Sequence, residues 1–543
     1  MKPMRSMLVT GATVAATLLS VTPLAAQRAE PSWVRGATCY EVFVRSFFDS
    51  NGDGIGDLKG LIEKLDYIND GNPASKTDLG ASCIWLMPIA KSPSYHGYDV
   101  SDYYDVDSVY GTNADFKHLV AAAHAHGIKV IVDMVLNHTS SQHPHFQAAL
   151  HDTASPYRSW YRFSPVPLDS VGPWGAPVWR KSPVRDEYYY GLFSRGMPDL
   201  NYDTPAVREE GMKIAKYWLA TMGADGLRLD AVQYLVEQGK CMKDCEGTHQ
   251  YLREYGTYIE KIDPGAFTVG EVWDSIGEML TYYPNQLTSY FMFPIADSLK
   301  TAVNRGTVGG MLAGYLRLQD TVPFYRYSTI LDNHDMTRIM TALHGNMHRA
   351  RLAATLLLTL PGLPFVYYGE PLGMIGDKPD PRLRTPMQWT GGPGVGFTTG
   401  TPWERPQSDS ATANVAVETG NPNSLLNLYR HLIHLRKANS ALAVGRLVPL
   451  SADDPHVVAY LRRDGAQVVL VVANLDSAAV HHVALTSGGG ALPAGRYVAK
   501  NLLGGPGAAA LRVRTDGRIT GYVPAGTLTP EEFRVLELDR ASR

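Results

Sequence analysis

Cysteine, excess charge and long apolar runs are all scarce in this sequence. Four cysteines in 543 residues cannot form the dense disulfide framework of a small secreted domain, and no second Cys or His pair with zinc spacing accompanies them. A formal net charge of −3 argues against nucleic acid or an anionic membrane as principal partner, since both are bound through clustered positive charge. Charged residues make up 19%, slightly below the usual share. Past residue 26 no window is apolar enough to span a bilayer, and no internal repeat is visible. What remains is a soluble chain of about two to four domains, 45% hydrophobic and expected to be a monomer. Its 30 tyrosines and 9 tryptophans are compatible with stacking against carbohydrate.

The one early apolar run has a different meaning. Lys2 and Arg5 precede Met7–Val21, and small residues follow at Ala25 and Ala26, the layout of a secretory signal peptide over residues 1–26. No cysteine lies near the cut, which argues against a lipid anchor. The mature protein is therefore expected to be secreted or periplasmic. Export makes Cys241 and Cys245, in CMKDC, a plausible small disulfide loop. Cys39 and Cys83 each open an apolar run and are expected as buried thiols.

From about residue 36, short apolar runs alternate with helical stretches such as Ala114–His126 and Val207–Met222. The runs are Thr38–Val44, Ser82–Pro88, Lys129–Leu136, Gly226–Val232, Thr268–Trp273, Tyr290–Pro294, Ser328–Leu331 and Pro364–Tyr368. Eight mostly apolar strands separated by helices imply a parallel sheet covered on both faces. The class is α/β, and the count suggests a (β/α)8 TIM barrel, with a doubly wound open sheet as the competing topology. Residues 139–204 interrupt the rhythm with Pro, Gly and aromatic residues (SWYRF, GPWGAPVW, DEYYYGLF), as an inserted domain after strand three would. The barrel is thus expected over 33–138 and 205–443. Beyond the helix Ser424–Lys437, segments such as HVVAYLRR and AQVVLVVANL alternate without helices, so 444–543 is expected to be an antiparallel β-sandwich.

Barrel chemistry belongs at the carboxyl ends of strands. In GLRLDAVQYL (226–235), Arg228 and Asp230 share one face of a strand, where the guanidinium should hold the carboxylate ionised, as a nucleophile requires. Strand three ends in Asn137-His138, strand five in Glu271-Val272-Trp273, and strand seven in Asp332-Asn333-His334-Asp335. Buried charges left unpaired are costly, so three such acids on one rim are not a core pattern, and a pair of carboxyl groups is what glycoside hydrolysis needs.

In order, VIVDMVLNH (130–138), MPDLN (197–201), GLRLDAVQY (226–234), GEVW (270–273) and LDNHD (331–335) resemble the motifs of the α-amylase family of glycoside hydrolases, family thirteen, over nearly the whole mature chain. The resemblance implies a barrel, an inserted B domain and a C-terminal sandwich. It also implies Asp230 as nucleophile, Glu271 as acid/base and Asp335 as the group holding the sugar's 2- and 3-hydroxyls. Arg228, His138, His334, His96 and the stacking Tyr98 are implied to surround the sugar. Asp99 and Arg384 resemble a pair that closes the pocket in glucosidases.

Two calcium sites are expected. In DSNGDGIGDLKG (49–60), Asp49, Asn51, Asp53, the Ile55 carbonyl and Asp57 fall at alternate positions around Gly54, a spacing of hard oxygen ligands that suits Ca²⁺, although Gly60 stands where an EF-hand carries its glutamate. The family resemblance implies a second site from Asn137, Asp199 and the Tyr234 carbonyl. The expected activity is retaining hydrolysis of α-1,4-glucans. The alternatives are an exo-acting α-glucosidase or glucosyl-transferring enzyme, and a non-catalytic sugar-binding relative, which the complete acid triad disfavours.

Overall fold

The computed structural model of the protein describes residues 30–168 and 170–541. The segment read as a signal peptide lies outside them. Among the described residues no helix is long and apolar enough to cross a membrane.

Eight parallel strands close on themselves: β1 (Cys39–Val42), β2 (Cys83–Leu86), β3 (Lys129–Met134), β4 (Gly226–Leu229), β5 (Phe267–Gly270), β6 (Ser289–Phe291), β7 (Tyr327–Thr329) and β8 (Leu363–Tyr367). Each pairs with its neighbour in sequence, and β8 returns to β1, so the doubly wound alternative is excluded. Every residue of β1, β4, β5 and β8 is buried, because side chains on one face fill the barrel and those on the other meet the surrounding helices. The strands are shorter than the apolar runs. Val44 already starts the helix Val44–Phe47, and Ala231 leaves β4 in a left-handed backbone conformation. Apolar content marks burial, and the rim loops are buried too.

Helices begin where the chain supplies caps. Asn113–Ala125 starts from a reciprocal Thr112–Asp115 capping box, Pro205–Lys216 carries proline in its first turn, and the Ser424 side chain caps Leu425–Ala438. Each satisfies or removes an otherwise orphaned N–H.

Between β3 and Pro205 the chain forms a helix (Pro144–His151) and a three-stranded antiparallel sheet, with Tyr188–Tyr190 between Phe163–Ser164 and Trp179–Lys181. Its return passes beside the end of β3, where His138 bridges to Asp199. At the other end of the chain lies a seven-stranded antiparallel sheet. Its alternation divides two cores: Val458, Tyr460, Val469 and Val471 join the barrel's cluster, while Val457, Leu461, Leu470 and Val472 pack with Val480, Ile519 and Leu528 in a second one. Val480 and Leu528 belong to a separate two-stranded ribbon.

Cys241 and Cys245 are joined as expected. Cys39 and Cys83 are joined as well, which corrects their reading as thiols. Parallel register sets Cys39 directly opposite Cys83 on β1 and β2, with Cα atoms 4.5 Å apart, inside the span a disulfide bridges.

Candidate active site

The site is organised around one guanidinium. Arg228, on β4, is wholly buried. Its Nη1 donates to Asp230 Oδ1 at 2.8 Å and to Asp133 Oδ1 at 2.8 Å, while Nη2 donates to Glu271 Oε2 at 2.6 Å. Directly after Asp230 the chain turns at Ala231, φ +47° and ψ +36°. That turn aims the Ala231 N–H at Glu271 Oε2, 3.1 Å away, and Trp273 Nε1 donates to Glu271 Oε1 at 2.7 Å. Two carboxyl groups contributed by β4 and β5 are thereby fixed beside each other.

Burial, together with the neighbouring carboxyl groups of Glu271, Asp133 and Asp335, pushes the Asp230 carboxyl well above its ordinary value, against the pull of Arg228. Arg228 pairs with Asp230 as expected, but it also serves Asp133 and Glu271, so the charge that favours the Asp230 carboxylate is divided among three acids.

Asp335 has the opposite balance. Burial pushes it up, but His334 beside it and then Arg384 hold it below the usual carboxylate range. Arg384 Nη2 donates to Asp335 Oδ1 at 2.7 Å, and His334 Nε2 lies 3.0 Å from Oδ2. Burial works against protonation of His334, yet Asp335 and Glu41 raise it to about 9. It is an imidazolium at neutral pH, donating from Nδ1 to Glu41 at 2.5 Å and from Nε2 to the Tyr98 hydroxyl at 2.6 Å. The Tyr98 hydroxyl in turn donates to Asp133 at 3.1 Å. His138 differs again: burial pushes it down to about 4, and its Nε2 donates to the Tyr98 carbonyl at 3.0 Å. Two histidines on one rim thus carry different charge.

These groups line a cleft of about 670 Å³. Asp230, Glu271 and Asp335 open into it, with His96, Tyr98 and Arg384 on one side. Trp174, Phe193 and Tyr234 pack together in its lining, Trp273 also lines it, and Trp174 remains 60% exposed. Asp99 is not brought to Arg384. Its carboxylate accepts from the hydroxyls of Ser92 and Ser94, whereas Arg384 pairs with Asp335 and with Asp380. Asp99 and Arg384 thus make no direct ion pair, although Asp99 lies 3.9 Å from the cleft-lining His96.

Two partners escaped the sequence reading. Asp133 lies inside β3 and Glu41 inside β1, each an acid within an apolar run. That is itself a signal, since a charge buried on a strand needs a partner, but the partner's identity is a matter of barrel geometry.

Among the described residues no three acidic, histidine or cysteine side chains converge as a metal cage. In the 49–57 loop, Asp49 accepts from the N–H groups of Asn51, Gly52 and Gly54, and Asn51 and Asp53 accept from Asp53 and Ile55. Asp57 accepts from Ser50 and caps the next helix at Gly60. The donor set is all oxygen and suits a hard cation, with the Asp49, Asn51 and Asp57 side-chain oxygens and Asp53 Oδ1 already accepting hydrogen bonds. At the end of β3, Asn137 Nδ2 donates to Asp199 Oδ2 at 3.0 Å, and Asn137 Oδ1 is buried without a hydrogen-bond partner. Asp199 is pushed well up by burial and by Glu237, a further buried acid that sequence reading missed. An orphaned amide oxygen beside the Asp199 carboxyl group fits an oxygen-coordinated cation, while Glu237 is paired with Arg162 at 3.2 Å.

Residues 41–445 match the family model described as the alpha amylase catalytic domain. The chain is 39% identical over 452 residues to "Alpha-amylase 3" of Dictyoglomus thermophilum, covering 82% of this chain and 85% of that protein. It is 33% identical over 516 residues to "Trehalose synthase/amylase TreS" of Mycobacterium tuberculosis, covering 83% of each. The crystal structure of the α-amylase from H. orenii superposes with a TM-score of 0.80 at 39% identity, covering 92% of this chain and 99% of that one. With a family match running from residue 41 to 445 and relatives 33–39% identical over more than four fifths of the chain, this chain belongs to the α-amylase family of glycoside hydrolases.

Proposed function

We propose that the protein is an exported α-amylase that cleaves α-1,4-glucosidic bonds of starch and maltooligosaccharides with retention of configuration. The observation that carries this reading is the common guanidinium: Arg228 holds Asp230 through Nη1 and Glu271 through Nη2, with Asp335 across the cleft. Asp230 attacks the anomeric carbon while Glu271 protonates the departing oxygen. Glu271 then takes a proton from water as the water displaces Asp230. Asp335, held by His334 and Arg384, accepts from the sugar's hydroxyls in the strained intermediate geometry.

Internal cleavage is favoured because no direct Asp99–Arg384 ion pair spans one end: Asp99 accepts from Ser92 and Ser94, and Arg384 pairs with Asp335 and Asp380. Likeness to a protein named trehalose synthase/amylase supports a second reading, glucosyl transfer. Chromatography of products from maltoheptaose decides between them. Mixed shorter oligomers are expected; glucose alone, or trehalose from maltose, overturns the amylase reading.

Calcium is assigned a structural part: the Asn137–Asp199 group beneath the cleft, with Glu237 nearby, and the 49–57 loop would hold Ca²⁺ and brace the rim. Export is supported by the charged-then-apolar amino terminus and by two disulfides, which persist in oxidising compartments.

A further inference from the structure

A second cavity, of about 270 Å³, lies between the inserted segment and the helix Pro205–Lys216. Its wall is part aromatic and part polar. His145 stacks on Tyr157 with centroids 3.7 Å apart, and Trp160 meets His145 edge-on at 4.9 Å; His145 and Trp160 line the cavity. Nδ1 of His143 accepts the His145 N–H at 3.1 Å, so the neutral ring carries its proton on Nε2 and offers a donor. Burial keeps it neutral, pushing it down to about 4. Glu210, also in the wall, accepts from the Tyr104 hydroxyl at 2.7 Å and has further acceptor capacity.

Donors and acceptors arranged around an aromatic shelf, with no net cationic character, match a neutral polyhydroxylated ring. At about 270 Å³ the space lies just under the roughly 300–1,000 Å³ of drug-sized pockets, which suits one sugar ring and leaves a chain to run outward. The mechanism uses none of these side chains. We infer that this cavity is a second carbohydrate site that takes a single glucosyl unit at a chain end, an inference that rests on the glucan reading above.

The site is also wired to the first. Tyr103 and Tyr202 both line the cavity, and their hydroxyls donate to the carbonyls of His138 and Leu136 at 2.8 and 2.6 Å. Those carbonyls belong to the segment after β3 that presents His138 to the cleft.

The test titrates maltotriose into Asp230→Asn protein by calorimetry, with and without Trp160→Ala or His145→Gln as added substitutions. Two classes of site are expected. Either added substitution should weaken one class by roughly tenfold, as loss of a stacking shelf or its hydrogen bond does, and leave the other unchanged. The more conservative His145→Gln guards against misfolding in Trp160→Ala, and an unchanged melting temperature confirms it. A single class of site, or two classes indifferent to both substitutions, overturns the inference while leaving the amylase reading intact. Absence of any maltotriose binding overturns both.

Discussion

Oε1 of Glu41 lies 2.5 Å from Nδ1 of His334, so a carboxyl group on the first barrel strand joins Asp335, after the seventh, in raising the imidazole between them. His334 is raised to about 9 against its ordinary 6.5. A group raised in this way adds stability that is full below pH ~6.5 and is lost as pH rises through about 9. His138, lowered to about 4, acts in the other direction: its cost to the fold grows as pH falls from ~6.5 towards 4. Glu41→Gln should bring the alkaline decline in melting temperature and in kcat/KM to lower pH and cut kcat/KM by roughly 10–100-fold, the value of a charge-assisted hydrogen bond. Profiles of both quantities between pH 4 and 10 check this; an unshifted alkaline limb would reject the coupling.

Asp230→Asn should lower kcat by roughly 10⁴-fold or more with the fold retained. Glu271→Gln should abolish starch hydrolysis yet spare the first step for an activated aryl α-glucoside, so that a glycosyl-enzyme accumulates. Intact-mass measurement detects that adduct. Equal loss on both substrates would remove Glu271 from the acid/base role.

Asp133 touches no substrate in this scheme, yet it shares Nη1 of Arg228 with Asp230 and accepts from Tyr98 and Trp85. Asp133→Ala leaves a buried guanidinium short of an anion, a change worth on the order of 3–5 kcal/mol. Its melting temperature should fall more than that of Asp230→Asn. The reverse order, measured by calorimetry, would mean that Asp133 is not a principal support of Arg228.

The disulfides should differ in worth. A bridge across a sequence separation of 44 residues removes enough unfolded-chain entropy for about 4 kcal/mol, against about 2 for a separation of 4. Replacing Cys39 and Cys83 together by alanine should therefore destabilise more than the same change at Cys241 and Cys245. Comparable denaturation midpoints for the two variants would contradict that ranking.

Excess chelator should lower the melting temperature, and added Ca²⁺ should restore it, through binding to the native state. Asp199→Asn should blunt the response, because it removes a carboxylate beside the orphaned Asn137 oxygen. An identical chelator response in wild type and variant would exclude that group as an exchangeable site.

Much of the catalytic rim was legible because its residues sit at strand ends in unmistakable company: Arg228 with Asp230, Glu271 before Trp273, His334 before Asp335. The geometry of these pairs follows from strand alternation and short-range order. Contacts set by closure of the barrel were not legible. Glu41 reaches His334, which follows β7, only across the rim of the closed barrel, and Cys39 reaches Cys83 because β1 pairs with β2. The immediate partners of Asp99 were not legible either: Ser92 and Ser94, close by in the same loop, take its oxygens. The charge on Asp230 depends on how many acids share one guanidinium, and Asp133 was missing from that count.

The two-faced sheet at the carboxyl terminus has a consequence for how the molecule tolerates trimming. Val458, Tyr460, Val469 and Val471 are as much part of the barrel's interior as its own helices are. A protease cut ahead of Arg446 would thus not release a spare module but strip an apolar hide from a catalyst whose active-site acids are all still present. Such a fragment should clump before it could be assayed, so this unit guards solubility although it holds none of the reactive groups.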